Sequence, residues 1–318
     1  MLRPVHLPIA FAGRRWLEIA LDYRCNLRCL GCHACHDTGE RLASSEVLAI
    51  LRSGRARGIQ SLWLGGGEPT LRDDLLSLVR AARELGYAHV TVQTNGMRVA
   101  YADYRAALVR AGVSEIRFNV KSHRAEVHDR LSGGECHALL LDAIAGLKGT
   151  GVGIAADVLL TRATGADLPE TIALFAARGV QSFCLWLLSA ADAPGEQSDE
   201  HLAVAAEVPR IAELVPSLSA ARAEAQRVGV ELTSLHTPPC TLPAELRDIF
   251  APTAALSLVV VGPDRRPFAL EASPFEGGAY LAGCSRCTQR SNCGGPRADY
   301  VQLHGGGEFV PLVGPADA

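Results

Sequence analysis

The sequence predicts an α/β protein built on a partial (β/α)6 barrel of the TIM type, followed by a small cysteine-rich C-terminal module. Three observations carry that prediction. Six strand-like runs alternate with five helical patterns, and glycines close helix exits at Gly58, Gly86, Gly112 and Gly179. The residues with chemical character, a cysteine loop at 25–32 and turns at 65–68 and 94–96, each follow a predicted strand. Such alternation is the sequence form of parallel strands joined by right-handed crossovers, whose active groups gather at the C-terminal strand ends. A doubly wound open sheet shares the alternation, but the cysteine loop directly after the first strand favours the barrel.

Taken in order, Leu17 to Asp22 alternates apolar with polar or small residues and forms the first strand. Ser44-Ser45-Glu46 offers a helix N-cap, and Val47, Leu48, Ile50 and Leu51 continue at helical spacing until Gly58. The pattern then repeats: strand 60–64, helix 73–85, strand 88–94, helix 101–111, strand 115–121. After a loop come helix 137–148, strand 152–160, helix 167–178 and strand 180–188. Residues 192–199 read as a loop, and 200–228 as helix broken near Pro209 and Pro216. Val230-Glu231-Leu232 is a short strand. Residues 255–261 and 267–271 flank Gly262-Pro263-Asp264-Arg265-Arg266 as a hairpin. The expected division is an N-terminal extension 1–15, the barrel 16–190, a helical connector 191–235 and the C-terminal module 236–318.

With 318 residues, 48% of them hydrophobic, the chain can bury one large core and a smaller satellite. Lys and Arg total 31 against 34 acidic residues, with no long basic run, so no nucleic-acid partner is expected. No run approaches the ~18 apolar residues of a membrane span. The stretch from Met1 to Trp16 is wrongly ordered for a secretory signal. Ten cysteines in a chain of this kind suggest metal ligation in the reducing cytoplasm, with oxygen sensitivity.

The first cysteine group is Cys25-Asn26-Leu27-Arg28-Cys29-Leu30-Gly31-Cys32. Three thiolates so close can hold one face of a cubane iron–sulfur cluster and leave one iron open. A zinc site of Cys25, Cys29, Cys32 and Cys35 is the other reading of the same spacing. Downstream lie Leu62-Trp63-Leu64-Gly65-Gly66-Gly67-Glu68-Pro69-Thr70 and Val90-Thr91-Val92-Gln93-Thr94-Asn95-Gly96. Together these resemble the signature loop, GGEP element and following strand of the radical SAM superfamily, over roughly residues 16 to 190. The resemblance implies that Cys25, Cys29 and Cys32 bind a [4Fe-4S] cluster whose fourth iron takes the amino and carboxylate groups of S-adenosylmethionine (SAM). It implies SAM contacts from Gly66, Gly67, Glu68, Thr94, Asn95, Asn119, Lys121 and Ser122. Asp157 and Thr161 on the fifth strand are further candidates. Gly31 departs from the pattern, since the family usually has a bulky residue there to pack against adenine. Cys35 and His36 also stand outside it, and Cys35 reads as a free thiol or an alternative ligand.

A second group comprises Cys240, Cys284, Cys287 and Cys293, the last followed by Gly294-Gly295. Four cysteines suffice for a fully protein-ligated cluster or for zinc. The C-x2-C-x5-C run resembles the C-terminal part of SPASM and twitch extensions, which implies one auxiliary [4Fe-4S] cluster in a shortened, twitch-like module. A full SPASM run has another cysteine where this chain has Arg297. Apart from the hairpin the module has little apolar content, so metal ligation is expected to supply much of its folding free energy.

The resemblance implies an oxidoreductase that cleaves SAM reductively to a 5'-deoxyadenosyl radical and abstracts hydrogen from its substrate. An electron donor such as flavodoxin or ferredoxin is implied. The reading favours peptide (RiPP) maturation, with oxidation or epimerisation of a small molecule such as an aminosugar as the alternative. A non-catalytic metal scaffold or electron carrier would explain the cysteines but not the glycine turns. Cys184, on the sixth strand, is a candidate hydrogen-atom donor. Its bland alternative is a small buried hydrophobe, and Cys136, before a predicted helix, has no assigned role.

Overall fold

The computed structural model describes residues 7–32, 39–191, 198–273 and 276–314. In chain order the strands and helices are β1 (Trp16–Ala20), α1 (Ser44–Ala56), β2 (Ser61–Gly65), α2 (Leu75–Glu84), β3 (His89–Thr94), α3 (Ala102–Ala111) and β4 (Glu115–Val120). Then follow α4 (Ala125–Ser132), α5 (His137–Leu147), β5 (Gly153–Leu160), α6 (Arg162–Gly165), α7 (Leu168–Ala177) and β6 (Ser182–Leu187). The chain closes with α8 (Asp199–Glu207), α9 (Ile211–Val228), β7 (Glu231–Leu235), β8 (Leu258–Val261), β9 (Pro267–Ala269) and α10 (Ala298–His304). All nine strands share one open sheet in the order β7-β6-β5-β4-β3-β2-β1-β8-β9. Every pairing is parallel except β8 with β9. This is the partial-barrel α/β architecture that the alternation predicts.

Side-chain alternation along the strands gives the sheet two unlike faces. One carries Ile116, Phe118, Val158 and Leu185 in a single apolar core with the helix residues Ile50, Val79, Leu108, Ile144, Ile172 and Leu218. Each such fully buried side chain contributes about 1.5–3 kcal/mol. The other face is polar, with Gln93, Arg117, Asn119, Asp157 and Cys184. Ala20 pairs with Gly65 at the C-terminal ends of β1 and β2. The loops that follow those strands therefore leave the sheet as neighbours.

Four features differ from the sequence expectation. The strand near 230 is not isolated in a connector but extends the sheet as β7, parallel to β6. The hairpin is not confined to the C-terminal module, because β8 pairs with β1 and covers its free edge. β8 is Leu-Val-Val-Val, buried on both faces, as parallel strands require. The stretch before residue 137 contains α4, whose Val127 and Leu131 are one turn apart and buried. Finally, α9 breaks from α8 at Pro209 but runs through Pro216. Pro216 is exposed, while Leu214, Leu218, Ala221 and Ala225 bury the opposite stripe and hold the helix despite one missing hydrogen bond.

Candidate active site

The cysteine loop is fixed by backbone hydrogen bonds to two neighbours. From the glycine turn, the amides of Gly67 and Glu68 donate to the carbonyls of Asp22 and Arg24, both at 2.8 Å, and the Leu30 amide donates to Leu131 at 2.9 Å. The approach is close enough to exclude side chains. A Cβ on Gly66, where φ is +112°, would lie 2.3 Å from the Asp22 oxygen, and one on Gly67 would lie 2.2 Å from the Arg24 oxygen. Asp22, 2% exposed, holds the start of the loop through the Arg24 amide and guanidinium, with Arg72 at 3.6 Å.

The three thiols share one electrostatic environment. Cys25 has an exposed surface, yet partial withdrawal of its thiol from solvent is the largest influence on it. With Glu68, Cys29 and Cys32 adding to that, the thiol is pushed up to about 11, against an opposing hydrogen bond from the Leu27 amide. Burial also raises Cys29, which Lys121 and a Ser132 hydrogen bond pull the other way.

The predicted SAM contacts separate into two kinds. Glu68 is turned inward: its carboxylate accepts from the Thr70 amide (3.0 Å) and hydroxyl (2.5 Å), the Thr94 hydroxyl (2.7 Å) and the Asn95 amide (2.8 Å). Burial raises its pKa in spite of these bonds. Glu68 and Thr94 therefore hold the turn together. Asn95 extends the same scaffold, donating to Asn26 of the cysteine loop at 2.8 Å. Ser122, fully buried, donates to Asp167 at 3.0 Å, and Thr161 accepts the Thr164 amide as the cap of α6. Lys121, 4% exposed, donates to Asn119 at 2.6 Å within electrostatic reach of Cys29, so these two face the loop.

The polar face of the sheet joins Asp157 and Cys184, both named from the sequence, to Gln93, Arg117, Trp186 and His236, which the sequence reading missed. Asp157 pairs with Arg117 at 2.8 Å and accepts from Gln93 at 3.0 Å, while the Arg117 guanidinium lies over the Trp63 ring. Cys184 stands opposite Asp157 in register and is pushed up to about 12, first by burial and then by that carboxylate. Two residues on from Cys184, Trp186 packs against His236, whose Nε2 is 2.8 Å from Glu276. Strand alternation was the available signal, since Cys184 and Trp186 share a face.

The second cysteine set also comes together across its long sequence gap. Cys240 is pushed up to about 11 by burial and then by Cys293, Cys287 and Cys284. The Tyr280 hydroxyl donates to the carbonyls of Arg290 and Cys293, pinning the loop between them. Arg297, in place of a fifth cysteine and 4% exposed, instead donates to the carbonyls of Leu187 (2.9 Å) and Leu188 (2.6 Å) at the exit of β6. Asp299 completes the clamp by accepting from Ser189 and Ala190. Gly31 packs on the same exit: a Cβ there would lie 2.7 Å from Leu188 and 3.3 Å from Val204, which explains the missing bulky residue.

The donor chemistry can be tested against a single ion. Among the described residues the ligand atoms of His128, Asp129 and Cys136 lie within 4.8 Å of one another, whereas no three thiols of either cysteine set do. Zn–S bonds of about 2.3 Å bring sulfurs within about 4 Å, so neither set is drawn together around a single ion, and it is by their all-thiol donor chemistry that both fit an iron–sulfur cluster. The tighter trio is already engaged: Asp129 accepts the amides of Cys136 and His137, and His128 accepts that of Lys121. Cys35 and His36 lie outside the described residues.

A partial barrel with an open-faced thiol loop at its C-terminal rim defines a class of cluster-binding proteins. Residues 21–175, just under half of the chain, match the Radical SAM superfamily. A domain of that family implies SAM and a [4Fe-4S] cluster. A probable GTP 3',8-cyclase of Saccharolobus solfataricus is 32% identical over 130 residues, 40% of this chain and 42% of the relative. One from Methanothermobacter thermautotrophicus is 28% identical over 114 residues, 35% of this chain and 37% of its own length. The chain thus matches less than half the length of these curated relatives. Among solved structures, Streptococcus suis SuiB bound to S-adenosylmethionine aligns over 94% of this chain and 76% of its own, with TM-score 0.69 and 14% identity. Native anSMEcpe with bound AdoMet aligns over 92% and 95%, with TM-score 0.60 and 14% identity. At such identity these likenesses concern the fold. Among the described residues no helix is long and apolar enough to cross a membrane.

Proposed function

We propose that the protein is a radical SAM enzyme acting on a peptide. The observation that carries the reading is the three-thiol loop locked against the Gly66-Gly67-Glu68 turn. Cys25, Cys29 and Cys32 would hold a [4Fe-4S] cluster, and Cys240, Cys284, Cys287 and Cys293 a second, auxiliary one. A cluster held at the loop would pass one electron, taken from an external reductant, to SAM, whose S–C5' bond would break to give methionine and a 5'-deoxyadenosyl radical able to abstract hydrogen from a substrate. The chain's own residues orient and enclose. Gly66 and Gly67 let the turn lie directly on the cysteine loop, Glu68 and Thr94 fix the turn, and Asn95, Asn119 and Lys121 offer polar atoms beside the loop. Ser122 sets this rim from below through Asp167. Cys184, held as a thiol by its raised pKa, retains the S–H bond that a hydrogen-atom donor needs; Cys184→Ala should then change the product once a substrate is known.

The peptide reading draws on the SuiB likeness, which spans nearly the whole chain; one of the SuiB structures is bound to its precursor peptide SuiA. A nucleotide substrate, as the cyclase relatives suggest, is the second reading. A triphosphate calls for unpaired cations, and Arg117 on the inner face is already matched by Asp157 and Glu115. An aminosugar substrate is compatible with the same face. Anaerobic reconstitution with iron, sulfide, dithionite and SAM should yield 5'-deoxyadenosine; its absence overturns the enzyme reading.

A further inference from the structure

His236 has a backbone that only a strong local reason sustains. It follows β7 with φ +63°, left-handed for a residue with a side chain, at a cost of about 1–2 kcal/mol. Alternation along β7 would send it, like Ser234, toward the helix side of the sheet. The left-handed turn lays it instead against Trp186, with ring centroids 5.8 Å apart. The Thr237 hydroxyl donates to Ser234 at 2.8 Å and fixes the turn. The side chain is 5% exposed, and Nε2 is at ion-pair distance from Glu276, although the N–H direction is not ideal for a hydrogen bond. Among the described residues, His236 Nδ1 and Trp186 Nε1 are buried polar atoms with no hydrogen-bond partner. Buried polar atoms left open in this way call for an occupant.

We propose that Trp186, His236 and Glu276 form a carboxamide-binding subsite on the inner face, beside Cys184, that anchors a backbone or side-chain amide of the substrate. The proposal rests on the peptide reading above and sharpens it. The tautomer that places the imidazole N–H at Nε2, toward the Glu276 oxygen 2.8 Å away, leaves Nδ1 as an acceptor. Trp186 Nε1 is a donor. One donor beside one acceptor complements an amide, with its C=O toward Trp186 and its N–H toward His236. A carboxylate has no proton for Nδ1 and meets the field of Glu276 and Asp157, so it is rejected.

The test uses propionamide and propionate as probes on the anaerobically reconstituted full chain, by saturation-transfer NMR. The amide should bind at least about fivefold more tightly than the acid, the scale of one hydrogen bond. Trp186→Phe, which keeps the ring and loses the donor, and His236→Ala should each abolish that preference. Glu276→Gln should reverse it, because a Gln carbonyl or amide facing Nε2 no longer fixes the tautomer and removes the negative field. Equal binding of the two probes, no binding of either, or a preference that survives His236→Ala overturns the subsite. 5'-Deoxyadenosine assayed in the same samples keeps the two proposals apart: its formation with no amide preference rejects the subsite alone.

Discussion

The two cysteine sites reach the same goal by opposite means. Cys25, Cys29 and Cys32 lie within eight residues, on a loop that leaves β1 and is gripped by backbone bonds from the β2 turn and from Leu131. The geometry is imposed by the sheet. Cys240, Cys284, Cys287 and Cys293 span more than fifty positions and sit on short 3-10 turns, and the turns carrying Cys284 and Cys293's neighbours bury no residue. There, on the proposed function, the ligand set would supply the cross-links. A preorganised loop at one end and a module proposed to be ordered by its metal at the other should respond differently to the same perturbation.

The largest effect separates ligands from scaffold. Cys25→Ala, Cys29→Ala and Cys32→Ala should each reduce 5'-deoxyadenosine formation to background, while Cys35→Ala leaves it measurable. Survival of activity in Cys32→Ala with loss in Cys35→Ala reassigns the loop ligands.

Iron removal should then split the two regions. Full loading corresponds to about eight irons per chain, and loading of the loop alone to about four. On chelation, hydrogen exchange should rise through 282–296 while the Gly67, Glu68 and Leu30 amides stay protected. Equal loss of protection at both ends would erase the contrast, and zinc in anaerobically prepared protein would remove the auxiliary cluster.

A single methyl group probes the same difference. Gly67→Ala forces a Cβ onto the Arg24 carbonyl and should destabilise the chain by about 3 kcal/mol in urea unfolding. Gly294→Ala, with nothing within 4 Å of its Cβ, should stay within about 0.5 kcal/mol.

Read per pH unit, the smallest effect is a pH slope beneath the loop. Burial, then Lys121 and His137, hold His128 down to about 3. The unfolded chain therefore binds the extra proton first, and stability falls as pH drops from 6.5 toward 3, by up to about 1.4 kcal/mol per unit. His128→Asn should flatten that part of the profile in pH-dependent unfolding.

Much of the barrel is legible in the residues. β1 to β6 and both cysteine groups announce themselves through local pattern, because each is written within a few turns of chain. Gly66 and Gly67 stand out as a glycine run after β2, and the structure lays the cysteine loop's own backbone against them. The β8–β9 hairpin was legible, but the pairing of β8 with β1 was not, because it joins residues about 240 apart, a relation that no local window contains. The four internal donors to Glu68 were not legible either, because they come from a turn and a neighbouring strand. His236 gave no warning at all, since a left-handed histidine has the same letter as any other.

The Arg297 clamp bears on the timing of assembly. During synthesis β1, the cysteine loop and β6 are complete long before residue 297 emerges, and until then the Leu187 and Leu188 carbonyls under Gly31 have no guanidinium to receive. The Gly31 contact on the β6 exit thus also draws on Arg297, far along the chain. A chain stopped at Pro296 should keep its sheet by circular dichroism yet retain iron poorly at the loop; undiminished iron retention would show that the loop closes unaided. Poor retention would mean that the loop cysteines take their final seat only after residue 297 has been made.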